Sequence, residues 1–263
     1  MQQGIGDFLI YYDKNMEVQY HRHYSQSLKR DMEYKTYGTE GHPVLAFPSQ
    51  DGRFFDYENF GMIDVLSGWI ESGRLRVVCC DGIDGETWSN RNGDPRHRIE
   101  LHEHWYDYII EELLPAVRNV PGETFISTGC SMGAFHAANF FFRRPDIFDT
   151  VIALSGLYHA SYGFPGYSDE LTFMNSPQDF LREMPADHPW IDLYRKCRIY
   201  ICVGQGKWED ELLESTRQLD RVLREKSIPA FVDYWGYDVD HDWPWWRKQL
   251  PYFMEKAMCD GAQ

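Results

Sequence analysis

The main candidate for a catalytic residue is Ser131, in the segment Gly129-Cys-Ser-Met-Gly133. This is the G-x-S-x-G pattern, in which glycines two residues either side of the serine let a strand turn sharply into a helix. The turn lifts the serine hydroxyl above the sheet edge, at the helix end that favours negative charge. Phe125 to Thr128 predicts the buried strand, and Ala134 to Phe142 predicts the helix. The pattern therefore indicates a nucleophilic serine for acyl transfer.

A serine hydroxyl needs a general base at neutral pH, and histidine is the usual one. Reactive groups of a doubly wound sheet gather at the carboxyl ends of its strands, so a histidine directly after a late strand is favoured. Among ten histidines, His241 follows the strand predicted at Ala230 to Trp235, and Pro244 suits the first turn of a final helix. We interpret His241 as the base. The alternative is a loop histidine paired with Asp240 or Asp242.

An acidic residue must orient the histidine, and the fold places it after the strand predicted at Arg198 to Val203. Glu209 and Asp210 both follow this strand and precede the helix predicted at Glu211 to Glu225. Aspartate is a strong N-cap, so Asp210 has a sufficient structural role at the helix start. We therefore prefer Glu209 as the acid and keep Asp210 as the alternative.

The oxyanion of an acyl-transfer intermediate needs two fixed donors. One is the backbone N–H after the nucleophile, which belongs to Met132. The other comes from the loop after an early central strand, and Ser49-Gln-Asp-Gly52 follows the strand predicted at Val44 to Phe47. We expect Gln50 to supply the second donor, with a plain surface loop as the alternative.

A cysteine nucleophile and a metal site are two alternatives to the serine. Cys130 precedes the apex of the turn and should point away from the site, so packing is its expected role. The pairs His21/His23 and His102/His104 suggest metal ligands, but residues two apart diverge on a strand or a helix. We expect no metal and no cofactor, and we interpret these four histidines as surface or hydrogen-bonded core residues.

Strands alternating with helices from residue 43 onwards predict an α/β fold with a mostly parallel, doubly wound sheet and helices on both faces. Antiparallel strands precede it. The segment Leu157 to Lys196 lacks a clear period, which predicts a partial cap of about residues 157–196 in a single domain of residues 1–263. The further predicted strands are Phe8 to Tyr12, Met16 to Tyr24, Arg30 to Tyr37, Leu75 to Cys80 and Thr150 to Leu154. The further predicted helices are Asn59 to Glu71, Leu101 to Val117 and Pro244 to Met258. Four aromatic residues of the cap are candidates for pocket walls, with simple packing as the alternative: Tyr158, Tyr162, Phe164 and Tyr167.

The chain of 263 residues has a formal net charge of −15, with 43% hydrophobic and 25% charged residues. This balance predicts a sizeable core. The negative charge argues against nucleic acid and favours a neutral or cationic small-molecule ester over an anionic one. The six cysteines form no C-x-x-C pair, and no leader or membrane span is found, so we expect a cytoplasmic protein with no membrane partner. The sequence does not indicate the oligomeric state.

The serine turn, the loop after Val44 to Phe47 and the ending His241-Asp-Trp-Pro-Trp-Trp-Arg-Lys-Gln-Leu250 together resemble the esterase branch of the α/β-hydrolase superfamily, which includes esterase D and the mycobacterial mycolyltransferases. Phe141 to Phe148 and Ile152-Ala-Leu-Ser-Gly156 are also similar. The resemblance spans about residues 43 to 255, with the motifs in the order serine, acid, histidine. In the mycolyltransferases a glutamate before a leucine-containing helix is the acid, and it corresponds to Glu209. The oxyanion loop departs from the usual His-Gly or Asp-Gly-Leu form.

The resemblance implies an α/β-hydrolase fold and a carboxylic ester hydrolase that works through an acyl-serine. Ser131 would attack the ester carbonyl, His241 would move the proton, and the acid would orient the imidazole. Acyl transfer to an alcohol other than water is one alternative, because the same site performs both reactions. A catalytically inactive binding protein of the same fold is another.

Overall fold

The computed structural model describes residues 16–259. In this range eight strands form one sheet: β1 Val18–Ser25, β2 Arg30–Tyr37, β3 His42–Phe47, β4 Leu75–Cys80, β5 Phe125–Cys130, β6 Phe148–Leu154, β7 Arg198–Val203 and β8 Phe231–Tyr234. Their order across the sheet is β1-β2-β4-β3-β5-β6-β7-β8. The pairs β1/β2 and β2/β4 are antiparallel, and all later neighbours are parallel. The predicted sheet is confirmed, whereas the strand predicted at Phe8 to Tyr12 lies outside the described residues.

Ten α-helices lie between or after these strands in the described range: α1 Asp56–Asn59, α2 Ser67–Glu71, α3 Pro95–Asp107, α4 Leu114–Val117, α5 Met132–Arg143, α6 Glu170–Met174, α7 Pro177–Glu183, α8 Pro189–Tyr194, α9 Asp210–Glu225 and α10 Trp243–Cys259. A π-helical stretch, Tyr108–Leu113, joins α3 to α4, and 3-10 turns occupy Asp64–Leu66 and Ala160–Tyr162. No helix within residues 16–259 is both long and apolar enough to cross a membrane.

The central strands β3 to β7 are buried on both faces, which explains why most of their residues are apolar. Successive side chains of a strand point to opposite faces. In β6, Val151 and Ala153 pack into a core cluster with α3, α5 and α9, while Ile152 and Leu154 pack into a second cluster with α1, α2 and α10. The predicted layer of helices on each face is therefore confirmed.

Three segments differ from the prediction by more than a few terminal residues. The helix predicted at Asn59 to Glu71 is wrong: the segment contains the end of α1, a 3-10 turn and α2, because the chain adopts φ +73° at Gly61. The helix predicted to begin at Leu101 begins at Pro95, where the Asp94 side chain accepts a hydrogen bond from the His97 N–H and caps it. The aperiodic segment between β6 and β7 contains three short helices, α6 to α8.

Candidate active site

Ser131 alone forms the turn between β5 and α5. Its backbone has φ 58° and ψ −122°, a conformation that residues other than glycine rarely adopt. A Cβ atom on Gly129 would lie 2.2 Å from the backbone of Gly133, and one on Gly133 would lie 2.5 Å from the carbonyl oxygen of Phe47. Both glycines are therefore required by close backbone packing, and the predicted strand–serine–helix turn is confirmed.

His241 lies in the loop between β8 and α10, next to Ser131. The distance between His241 Nε2 and Ser131 Oγ is 2.9 Å, which is a hydrogen bond. Trp246, on the first turn of α10, packs edge-on against the imidazole with the ring centroids 4.9 Å apart. The structure thus brings the two residues together as the sequence predicts.

The loops after β7 and β8 are joined by backbone contacts. A Cβ atom on Gly204 would lie 2.2 Å from the carbonyl oxygen of Val239, so this position requires glycine. The His241 N–H donates to the Lys207 carbonyl oxygen at 2.9 Å, and Asp240 Oδ1 accepts from the Lys207 N–H at 2.8 Å. The Asp240 carboxylate thus holds the backbone of the neighbouring loop, and these contacts bring the end of the β7 loop close to His241.

Glu209 ends the β7 loop, and its side chain is buried with 1% exposure. Its Oε2 atom lies 3.5 Å from His241 Nδ1, an ion-pair distance at which neither atom has the geometry of a hydrogen bond. Its Oε1 atom accepts a 2.6 Å hydrogen bond from Ser155 Oγ. The structure therefore holds a carboxylate against the imidazole edge remote from Ser131, fixed from its other side by Ser155.

Asp210 is exposed and is the first residue of α9. The N-cap position belongs to Glu209, so the expectation that Asp210 is the N-cap is wrong. Glu209 makes no side-chain capping bond because its carboxylate turns inward to Ser155 and His241. Within the described part of the chain, no hydrogen bond or ion pair joins Asp210 to His241. Its negative charge in the first turn of α9 still suits the helix dipole, as expected.

Ser155 and Trp246 are residues of the site that the sequence analysis did not identify. Ser155 directly follows β6, is fully buried and has φ +55°. Besides donating to Glu209, its Oγ accepts a hydrogen bond of 3.3 Å from Trp246 Nε1. The sequence feature that could have indicated Ser155 is its position directly after an apolar strand, because the carboxyl ends of parallel strands lie at the same sheet edge as Ser131.

Met132 and Gln50 lie beside Ser131 on one small pocket of about 20 Å³. Met132 is the first residue of α5, so its N–H has no carbonyl acceptor one turn earlier in the helix. The Gln50 side chain is fixed by two contacts: its Nε2 donates to Ser89 Oγ at 3.1 Å, and its Oε1 accepts from the Tyr162 hydroxyl at 2.9 Å. The pocket is further lined by Leu157, Tyr162 and Leu212.

The four aromatic residues proposed as pocket walls divide into two groups. Tyr162 lines the pocket at Ser131 and a larger groove of about 730 Å³ that adjoins it. Tyr158 and Phe164 are buried in separate core clusters, and Tyr167 packs against the cluster that contains Phe164. Among these four, the wall role fits Tyr162, while the other three pack.

Cys130 and His102 have structural surroundings. Cys130 is fully buried, with its Sγ 3.9 Å from the Tyr57 hydroxyl, and burial raises the pKa of its thiol, so it stays protonated. His102 is fully buried between Trp88 Nε1, at 3.1 Å from its Nδ1, and Asn175 Oδ1, at 3.1 Å from its Nε2. Burial lowers its pKa well below the usual value. Both expectations of packed or hydrogen-bonded core residues are confirmed.

No group of three or more histidine, cysteine, aspartate or glutamate side chains in residues 16–259 is placed to hold a metal ion. No two cysteines within residues 16–259 form a disulfide.

The chain matches one family of known proteins along most of its length. The sequence profile of the family described as "Putative esterase" matches residues 25–256. Comparison with curated protein sequences gives no match.

Several solved structures resemble the fold of this chain. One is a ferulic acid esterase, at 17% sequence identity and a TM-score of 0.72, with 93% of this chain and 98% of that chain covered. Another is an S-formylglutathione hydrolase from Agrobacterium tumefaciens, at 15% identity and a TM-score of 0.73, with 92% and 94% covered. A third is MPT51 from Mycobacterium tuberculosis, at 16% identity and a TM-score of 0.65, with 92% and 98% covered.

At these sequence identities, the structural similarities support only the fold. The family is assigned from the sequence profile. The eight-stranded sheet with helices on both faces is the α/β-hydrolase arrangement. The chain therefore belongs to the "Putative esterase" family of the α/β-hydrolase superfamily and is a serine ester hydrolase.

Proposed function

We propose that the protein hydrolyses a small-molecule carboxylic ester through an acyl-serine on Ser131, with His241 as general base and acid and Glu209 as the orienting carboxylate. The observation that carries the proposal is the 2.9 Å contact between His241 Nε2 and Ser131 Oγ. It is the contact that a general base needs with the hydroxyl it activates. The Glu209 carboxylate at 3.5 Å from Nδ1 supports it, because contacts of this kind are often looser in unliganded enzymes.

In the first half of the reaction Ser131 Oγ bonds to the ester carbonyl carbon, and its proton moves to His241 Nε2. The N–H of Met132 and the N–H of Gln50 stabilise the resulting oxyanion. His241 Nε2 then gives the proton to the leaving alcohol as the ester C–O bond breaks. The imidazolium formed in between is stabilised by Glu209.

In the second half, water attacks the acyl-serine carbonyl carbon and gives a proton to His241 Nε2. That proton returns to Ser131 Oγ as the acid leaves, so the enzyme is regenerated. The segment between β6 and β7 acts as a partial cap, and Tyr162 supplies its wall at the pocket. The proposal includes a single domain and a cytoplasmic location, where cysteines are kept reduced and disulfides are rare.

The test is a stopped-flow assay with p-nitrophenyl acetate. We expect a burst of p-nitrophenolate that approaches one equivalent of enzyme where deacylation is rate-limiting, because acylation releases the alcohol first. Ser131→Ala should show neither burst nor turnover, whereas the adjacent control Cys130→Ala should keep both. Wild-type turnover by folded Ser131→Ala would overturn the proposal.

A further inference from the structure

A larger groove adjoins the pocket at Ser131, because Leu157 and Tyr162 line both cavities. The pocket at the serine has a volume of about 20 Å³, and the groove has about 730 Å³, which falls in the range of small-molecule sites. The remaining groove residues are Arg91, His159, Ser161, Pro165, Gln178, Asp210, Glu211, Glu214, Ser215 and Gln218. The larger part of an ester bound at Ser131 would therefore lie in this groove.

One wall of the groove carries three exposed carboxylates from α9: Asp210, Glu211 and Glu214. None of them forms an ion pair with a residue in the described range. Asp210 and Glu211 suit the start of a helix, but Glu214 lies beyond the first turn and repels Asp210 at the i, i+4 spacing. Glu214 Oε1 accepts a hydrogen bond of 3.0 Å from Gln218 Nε2, but this contact leaves the negative charge of Glu214 without a cation among the described residues.

Two basic side chains of the groove lie against neighbouring groups. The Arg91 guanidinium lies 5.0 Å from the centre of the Tyr162 ring, and His159 Nε2 lies 3.1 Å from Asp179 Oδ2. A ring attracts a cation without cancelling its charge, so the groove lining carries one guanidinium, of Arg91, against three carboxylates of α9. The α9 wall therefore keeps an excess of negative charge.

A second, independent feature of the groove is a side-chain oxygen that accepts no hydrogen bond from the described residues. Gln178 lines the groove and is fully buried. Its Nε2 donates to Ser215 O and Ser215 Oγ, both at 2.8 Å, but no described residue donates to its Oε1. A buried amide oxygen normally has a partner, so this position fits a ligand N–H group.

Resting on the proposed function, we propose that the groove binds the alcohol part of the ester and that this part carries an ammonium group. The α9 carboxylates attract the positive charge, and Gln178 Oε1 accepts its N–H. The net charge of −15 on the whole chain would also draw such a substrate towards the protein.

The test compares two acetate esters of the same shape. In 3-(dimethylamino)propyl acetate the terminal nitrogen is protonated at neutral pH, and 4-methylpentyl acetate is its uncharged isostere. We expect kcat/KM to be about tenfold higher for the cationic ester, since each exposed charge pair contributes only about two- to fivefold. Added NaCl should lower this ratio, because salt screens exposed charges.

The variant Glu211→Gln/Glu214→Gln should lower kcat/KM for the cationic ester by about three- to tenfold and leave the neutral ester within about twofold. Glu225→Gln is the matched control, because it removes the same charge at the far end of α9 and should change neither. Equal rates for the two esters, or an equal effect of Glu225→Gln, would overturn the cation proposal alone. Absence of Ser131-dependent hydrolysis of both esters would overturn the proposed function, and this inference with it.

Discussion

Two histidine–carboxylate pairs close to α5 differ in what surrounds them. His136 on α5 lies 2.9 Å from Asp84, and their side chains are 2% and 4% exposed. His241 lies 3.5 Å from Glu209, with 18% and 1% exposure. By distance and burial alone, the first pair is the better formed of the two.

No hydroxyl or thiol within residues 16–259 forms a hydrogen bond with the His136 side chain. The His136 ring is surrounded by other rings, at centroid distances of 4.9 Å from Trp105, 5.3 Å from Phe135 and 5.6 Å from His102. The second pair contacts Ser131, which lines an open pocket. A buried histidine–carboxylate pair is therefore not by itself a catalytic feature. The contact with a hydroxyl at a cavity is what permits chemistry.

Removing Ser131 or His241 should have the largest effect on kcat. Ser131→Ala and His241→Ala should each lower kcat by about 10⁴-fold or more, and the double variant should fall little further, because the residues act as a unit. Both single variants should keep their melting temperature within a few degrees. Steady-state kinetics and thermal melts measure this. A fully additive double variant would contradict a shared role.

Exchanging the acid should give the next largest effect. Glu209→Gln should lower kcat by about 10² to 10⁴-fold, because the imidazolium loses its compensating charge. Asp210→Asn should change kcat by less than about twofold, since Asp210 is exposed on α9. Kinetics of the two purified variants decide the matter, and the reverse ranking would transfer the role to Asp210.

Breaking the His136–Asp84 pair should lower the stability of the fold and leave kcat nearly unchanged. Asp84→Ala leaves His136 buried without its partner, so the free energy of unfolding should fall by about 3 kcal/mol. The kcat of the folded fraction should stay within about threefold. Urea denaturation and kinetics below the transition measure both. If Asp84→Ala instead lowered kcat as strongly as Glu209→Gln, the distinction between the two pairs would fail.

The smallest effect concerns the serine that holds the acid. Ser155→Ala removes the 2.6 Å hydrogen bond to Glu209, and we expect kcat to fall about tenfold because the carboxylate is less well placed. KM should stay within about twofold, and labelling of Ser131 by a fluorophosphonate should slow by the same factor as kcat. An unchanged labelling rate would show that Ser155 only packs.

The sequence predicts the site where local rules apply. The glycine spacing around Ser131 predicts its turn, because close backbone packing leaves no room for a Cβ atom at either glycine. The strand order predicts where His241 lies. The sequence does not predict the link from Trp246 through Ser155 to Glu209, since that link depends on a left-handed backbone at Ser155 and on contacts between distant segments.

Covalent labelling is the most direct test of Ser131 as the nucleophile. The protein is treated with a fluorophosphonate probe, digested, and mapped by mass spectrometry. We expect one modified residue, Ser131, with labelling lost in Ser131→Ala, strongly slowed in His241→Ala and retained in Asp84→Ala. Modification of another residue, or undiminished labelling of folded Ser131→Ala, would contradict the role proposed for Ser131.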